Sequence, residues 1–184
     1  MTTTTANELE RIRERFILHW GEMGQLWGIN RTMAQIHALL FISTEALSAN
    51  DLMDELQISR GNVSMALREL IAWGIVTRIH IKGERREYYT TEKDVWKMFR
   101  IIARERKRRE VDPTIEVLRQ SMTELNDISD DSVGKYEREQ LKQLLDFFET
   151  GIKVYENLDS QTPTSVLKLL GKSLNLKGLT GMMM

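Results

Sequence analysis

The stretch that most constrains this chain is residues 48–89, SANDLMDELQISRGNVSMALRELIAWGIVTRIHIKGERREYY. Ser48 followed three residues later by Asp51 suits a capping box, with the acid at the positive end of a helix. Leu52, Met53 and Leu56 give that helix its apolar side, and Gln57 to Ser59 form a turn. A second helix starts near Ser59 or Arg60, where Val63, Leu67, Leu70 and Ile71 repeat at 4, 7 and 8 residues, one buried stripe. Next, Ile75, Thr77, Ile79 and Ile81 alternate with Val76, Arg78, His80 and Lys82, the pattern of a strand with one buried face. Lys82 to Arg85 make its turn, and Arg86 to Tyr89 return. Helix, turn, helix and hairpin in this order predict a winged helix-turn-helix.

At about 100° per residue, the face of the second helix opposite its apolar stripe carries Gly61, Ser64, Met65 and Arg68, with Arg60 at the start and Asn62 at the edge. Such side chains near a helix N-terminus suit base edges and phosphates. Gly61 would let a backbone approach closely, and Arg68 could fork onto a guanine or clamp a phosphate. At the hairpin tip Lys82, Arg85 and Arg86 are placed to reach a minor groove or its phosphates. An ordinary solvated helix and hairpin tip would also carry charges of this kind.

Several segments together resemble the GbsR-type branch of the MarR-like transcriptional regulators. They are Gly28-Ile-Asn-Arg31, Ala34 to Leu40, Ile58-Ser-Arg-Gly-Asn-Val-Ser64, Leu67-Arg-Glu-Leu70, Trp73-Gly-Ile-Val76 and Lys82-Gly-Glu-Arg85. The similarity covers roughly residues 10 to 120, and Ser-Arg-Gly-Asn-Val-Ser is its most specific part. The resemblance implies a dimeric bacterial or archaeal repressor with two winged-helix heads on a helical dimer platform. Some members of that branch sense choline or other osmoprotectant-related compounds through an aromatic pocket.

Charge is distributed as such an arrangement requires. The chain as a whole is nearly neutral, at −1. Residues 60–110, however, hold 14 basic against 7 acidic side chains, and residues 111–160 hold 5 against 12. A basic head beside an acidic oligomerisation region accounts for the asymmetry.

Most of the remaining segments read as helices. Residues 1–7 are Thr-rich and expected to be disordered. From about Asn7 to Trp27, Leu9, Ile12, Phe16, Trp20, Met23 and Trp27 fall at spacings of 3, 4, 4, 3 and 4, a continuous seam. Gly21 and Gly24 weaken this helix by about 1 kcal/mol each, which makes sense where another backbone crosses closely or the helix bends. Arg31 to Ile42 reads as the core helix under the head. Thr91 to about Arg109 is a helix with a Val95, Met98, Phe99, Ile102 stripe, and its basic run 104–109 reads as a solvated helix end. Val111-Asp-Pro113 marks a break. Ile115, Leu118, Met122 and Leu125 define the next helix, and a further one starts at Asp130 and Asp131 and carries Leu141, Leu144, Leu145, Phe148, Ile152 and Tyr155 on one side. The two form a helical hairpin that buries too little alone, so a second copy is its natural partner.

The expected organisation is therefore mainly α with a small β-hairpin wing: a disordered start (1–7), a winged helix-turn-helix domain with supporting helices (8–110), a helical dimerisation region (111–160), and a linker and tail (161–184). With no cysteine, thiol chemistry and thiolate metal sites are excluded. His19, His37 and His80 lack metal-ligand spacing, and no phosphate loop or nucleophile elbow is present, so no metal site, cofactor or catalytic group is expected. No run approaches 18 apolar residues and the N-terminus lacks a leader pattern, which predicts a cytoplasmic protein without membrane partners.

The partners expected are double-stranded DNA, a second copy, and a small-molecule effector. Trp20, Trp27, Tyr88 and Trp96, with Phe16, are the candidate ligand residues; as an aromatic box they would hold a quaternary ammonium compound by cation–π attraction. The same rings at helical spacing also suit a plain core. The reading that competes with DNA recognition is a winged-helix protein-interaction module, which should show an exposed apolar patch where this sequence places its basic wing.

Overall fold

A computed structural model describes residues 2–128 and 134–159. Asp130, Asp131 and the segment 161–184 lie outside the described residues. The elements run α1 (Thr2–Leu26), α2 (Arg31–Ile42), β1 (Leu47–Ser48), α3 (Ala49–Leu56), α4 (Arg60–Ala72), β2 (Val76–His80), β3 (Glu87–Thr91), α5 (Val95–Arg106), a π-helical turn (Lys107–Val111), α6 (Asp112–Asn126) and α7 (Lys135–Asp159). No helix of the described residues is long and apolar enough to cross a membrane. The chain divides into two compact units after Ile102.

The first unit is a winged helix-turn-helix. Its centre is α2, whose Asn30 cap accepts from the backbone N–H of Thr32 and Met33. Ile36, Leu39 and Leu40 of α2 meet Leu52 of α3, Val63 of α4 and Val76 of β2 in the most deeply buried part of the core. The capping box forms as expected: Ser48 Oγ accepts from Asp51 N–H at 3.3 Å, and Asp51 Oδ2 accepts from Ser48 N–H at 2.7 Å. Between α3 and α4, Gln57 takes the left-handed conformation at φ 52°. Its side-chain amide donates to the Asp54 carbonyl at 2.6 Å, which holds the bend.

Two glycines stop helices by the same device. After α1, Gly28 donates to the Gln25 carbonyl and Ile29 to the Gly24 carbonyl; after α4, Gly74 donates to Ile71 and Ile75 to Leu70. Both glycines have φ near +75°, as this paired cap requires.

The sheet is three-stranded and antiparallel in the order β1-β3-β2, with Leu47 opposite Tyr89 and Ile79 opposite Tyr88. The clean alternation expected of the first wing strand is not observed. Ile75 and Val76 are both buried at the hairpin root, Ile79 is half-buried and Ile81 is exposed. The root packs on the core, whereas beyond it the two-stranded ribbon has no second layer to cover either face.

Two further expectations are corrected. The helix of α1 begins at Thr2, so the Thr-rich start is helical rather than disordered. Once a helix is nucleated, each added residue brings a hydrogen bond at little further cost. Nor does Pro113 break the chain: α5 passes through the π turn into α6, with Pro113 in the first turn of α6. A proline inside an α-helix loses one hydrogen bond and crowds the carbonyl four residues earlier, and widening the preceding turn relieves both.

The second unit contains α6 and α7, packed as a helical hairpin. Arg119 pairs with Glu149 at 2.8 Å, and Arg138 donates to the Leu125 carbonyl at the end of α6 at 2.6 Å. Local ion pairs join Arg106 to Glu110, Lys107 to Asp112 and Arg108 to Glu105. Of its apolar side chains only Ile115 and Leu118 are buried among the described residues.

Candidate nucleic-acid interface and effector cavity

On α4 the buried stripe of Val63, Ala66, Leu67 and Leu70 turns the other face outward. Arg60, Gly61, Asn62, Ser64, Met65 and Arg68 are all exposed there, and Met65 is 63% accessible. Ser59 caps this helix by accepting from Asn62 N–H at 3.4 Å. A Cβ at Gly61 would meet nothing nearer than Ser59 Oγ at 4.0 Å, and the residue is not in the positive-φ region. Neither internal packing nor backbone conformation therefore requires a glycine here.

Lys82, Arg85 and Arg86 are exposed at the tip between β2 and β3. Among the described residues none of Arg60, Arg68, Lys82, Arg85 and Arg86 pairs with a carboxylate, so these guanidinium and ammonium groups face solvent. Lower on the wing, Arg78 is bound by Glu87 at 2.9 Å, and Tyr89 donates to the other Glu87 oxygen at 3.0 Å. Arg78 thus stiffens the hairpin, while the tip cations stay available.

In the same unit, α1 crosses α2. The closest approach is at Gly24, where a Cβ would lie 2.5 Å from the Ala34 Cβ. Below this crossing lies a cavity of about 310 Å³, at the low end of the ligand-sized range. Trp20 and Trp27 line it, as does Phe16; Tyr88 and Trp96 do not. Tyr88 is half-buried in β3 and Trp96 exposed in the first turn of α5. The cavity also takes in Trp73, at the end of α4, and His37, neither of which the α1 seam could indicate.

His37 is buried at 4% exposure, and its Nε2 has no hydrogen-bond partner. Burial, aided by the nearby Lys93 charge, pushes its pKa down to about 4. The ring belongs to a file of aromatics: Phe16 to Trp20 at 5.6 Å, Trp20 to His37 at 6.3 Å, and His37 to Phe41 at 6.1 Å between centroids. Lys93 Nζ lies 5.9 Å from the Phe41 ring centre and donates to the carbonyls of Leu40, Phe41 and Ser43 at 2.6–2.8 Å. It closes the C-terminus of α2 from the segment just after the wing, a role with no local signature. Among the described residues no group of His, Asp and Glu could hold a metal ion.

Comparison with known proteins agrees with this geometry. Residues 27–87 match the MarR family model. The chain is 22% identical over 120 residues to the HTH-type transcriptional repressor GbsR of Bacillus subtilis (strain 168), covering 65% of this chain and 66% of that protein. It is also 22% identical over 99 residues to the repressor OpcR of the same organism, covering 54% of each. The chain thus spans between half and two thirds of the length of these curated relatives. The crystal structure of a transcriptional regulator superposes with a TM-score of 0.63 at 18% identity, over 80% of this chain and 95% of that one, a likeness of fold. Most of the winged helix-turn-helix thus falls within residues that match the MarR family model, and the chain is similar to the GbsR and OpcR repressors.

Proposed function

We propose that this protein is a sequence-reading, DNA-binding transcriptional regulator, a repressor that works as a homodimer on an inverted-repeat operator. The observation that carries the proposal is the exposed α4 face beside a wing whose tip cations pair with no carboxylate among the described residues. Arg60, Gly61, Asn62, Ser64, Met65 and Arg68 enter the major groove, and Lys82, Arg85 and Arg86 contact the flanking phosphates or minor groove. The named functions of GbsR and OpcR support the same reading. The apolar hairpin of α6 and α7 suits pairing with a second copy, and the cavity under the α1–α2 crossing suits an effector. Such a ligand would act by favouring one arrangement of the two heads.

Fluorescence anisotropy with the DNA upstream of the protein's own gene and a scrambled control, repeated across salt, tests the reading. Preferential binding that falls steeply with salt is expected. Arg68→Ala should cost about 1–3 kcal/mol on the preferred DNA if it reads a base. Equal weakening on both DNAs would make it a phosphate contact. No binding to either at low salt would favour a protein-interaction module instead.

A further inference from the structure

The cavity has an unusual chemical balance. Aromatic rings from α1 and α4 supply much of its wall, yet no lining residue carries a carboxylate, ammonium or guanidinium group. Its titratable lining groups are two imidazoles: His19, which is exposed, and His37, which is not. His37 stays neutral under ordinary conditions, because burial and Lys93 both oppose its protonation. A neutral imidazole offers one donor and one acceptor. Leaving such an atom buried and unpaired is costly, so a ligand group that pairs with it gains more than one added at a wet surface.

We propose that this cavity binds an uncharged, largely apolar small molecule whose single polar group hydrogen-bonds His37. The proposal deepens the effector reading above but rests on the cavity alone, so it can hold even if the DNA reading fails. A quaternary ammonium ion is the competing occupant. Aromatic faces would attract it by about 2 kcal/mol or more. Against this, the cation must shed water into an apolar chamber without a counter-ion. The charge next to His37, moreover, is the positive Lys93. A ring-shaped neutral molecule loses little hydration, stacks on Trp20 and Phe16, and keeps one hydrogen bond.

Indole and indene provide matched probes, since they share one shape and differ by a single N–H. Titration calorimetry on the full chain without DNA should show indole binding about tenfold more tightly than indene. Choline should bind more weakly than either. In His37→Leu the indole preference should be lost, with indene binding at least as tightly. Should that variant fail to fold, nitrogen-detected imidazole NMR of the wild type serves instead: indole should shift the His37 Nε2 resonance and indene should leave it in place. Choline binding more tightly than indole would overturn the proposal, as would an indole preference that survives in His37→Leu or an Nε2 resonance that indole does not move.

Discussion

The two units differ most in how far each completes its own core. In the first, Ile36, Leu39, Leu40, Leu52, Val63 and Val76 are almost wholly shielded, and three helices and a sheet converge on them. In the second, α7 spans 25 residues without one described side chain that is buried. Leu141, Leu145, Phe148 and Ile152 are only half-covered, Leu144 is exposed and Phe147 is 70% accessible. Helices in water are held mainly by packing of an apolar face. The first unit has that packing within one chain, whereas the second leaves its apolar face largely uncovered among the described residues. This contrast is the physical basis for proposing a dimer.

The contrast can be broken at either end. Ile36→Ala removes a fully buried side chain and should lower unfolding stability by about 2–5 kcal/mol in denaturant titration. A loss below 1 kcal/mol would mean the core is looser than its burial implies.

Acid probes the same core at one atom. His37 has a folded pKa of about 4 against the ordinary 6.5, so the unfolded chain takes up its proton first. Stability should therefore fall as pH drops from about 6.5, losing on the order of 3 kcal/mol by pH 4 and levelling off below it. Comparing wild type with His37→Leu isolates this contribution, since the variant keeps every other titrating group. Parallel stability curves for the two would show that His37 titrates normally.

For the second unit, Phe147→Ala should leave monomer stability within about 0.5 kcal/mol, as expected for an exposed position. Dimer dissociation should tighten the distinction: sedimentation should show the dimer weakened by roughly 1–3 kcal/mol if Phe147 is a central contact. An unchanged dimer would place the interface on another face.

The smallest effect separates folding from binding within one helix. Gly61→Ala adds a methyl into open space in the first turn of α4. Stability should rise by about 0.5–1 kcal/mol, since alanine is the better helix former. If α4 enters the groove as proposed, DNA affinity should nevertheless drop, because the added methyl would stand between the helix backbone and the DNA. A gain in both would leave the glycine without a role in binding.

What could be read from the sequence divides along the same line between local and assembled features. The Ser48–Asp51 box, the span of α2 and the outward face of α4 follow from spacings of three or four residues, so they are legible before any tertiary contact exists. β1 has two residues and no periodicity to detect; it is visible only as a partner of Tyr88 and Tyr89. Pro113 carries the mark of a helix break, and only the surrounding turn shows how the chain absorbs it. Lys93 meets carbonyls about fifty positions earlier, which no window reveals. The aromatic cluster is legible only in part for the same reason. Trp20 and Trp27 share the α1 seam and do share a cavity, but Trp73 and His37 join them through helix packing, and Tyr88 and Trp96 lie elsewhere.

Selection from a pool of random duplex DNA, using the purified full-length chain and sequencing the bound fraction, tests the central claim most directly. A dimeric reader with two exposed α4 faces should enrich an inverted repeat whose half-sites are centred about 10 base pairs, or a multiple of one turn, apart. A bound pool that stays random through successive rounds would contradict sequence reading and leave the basic wing without an operator.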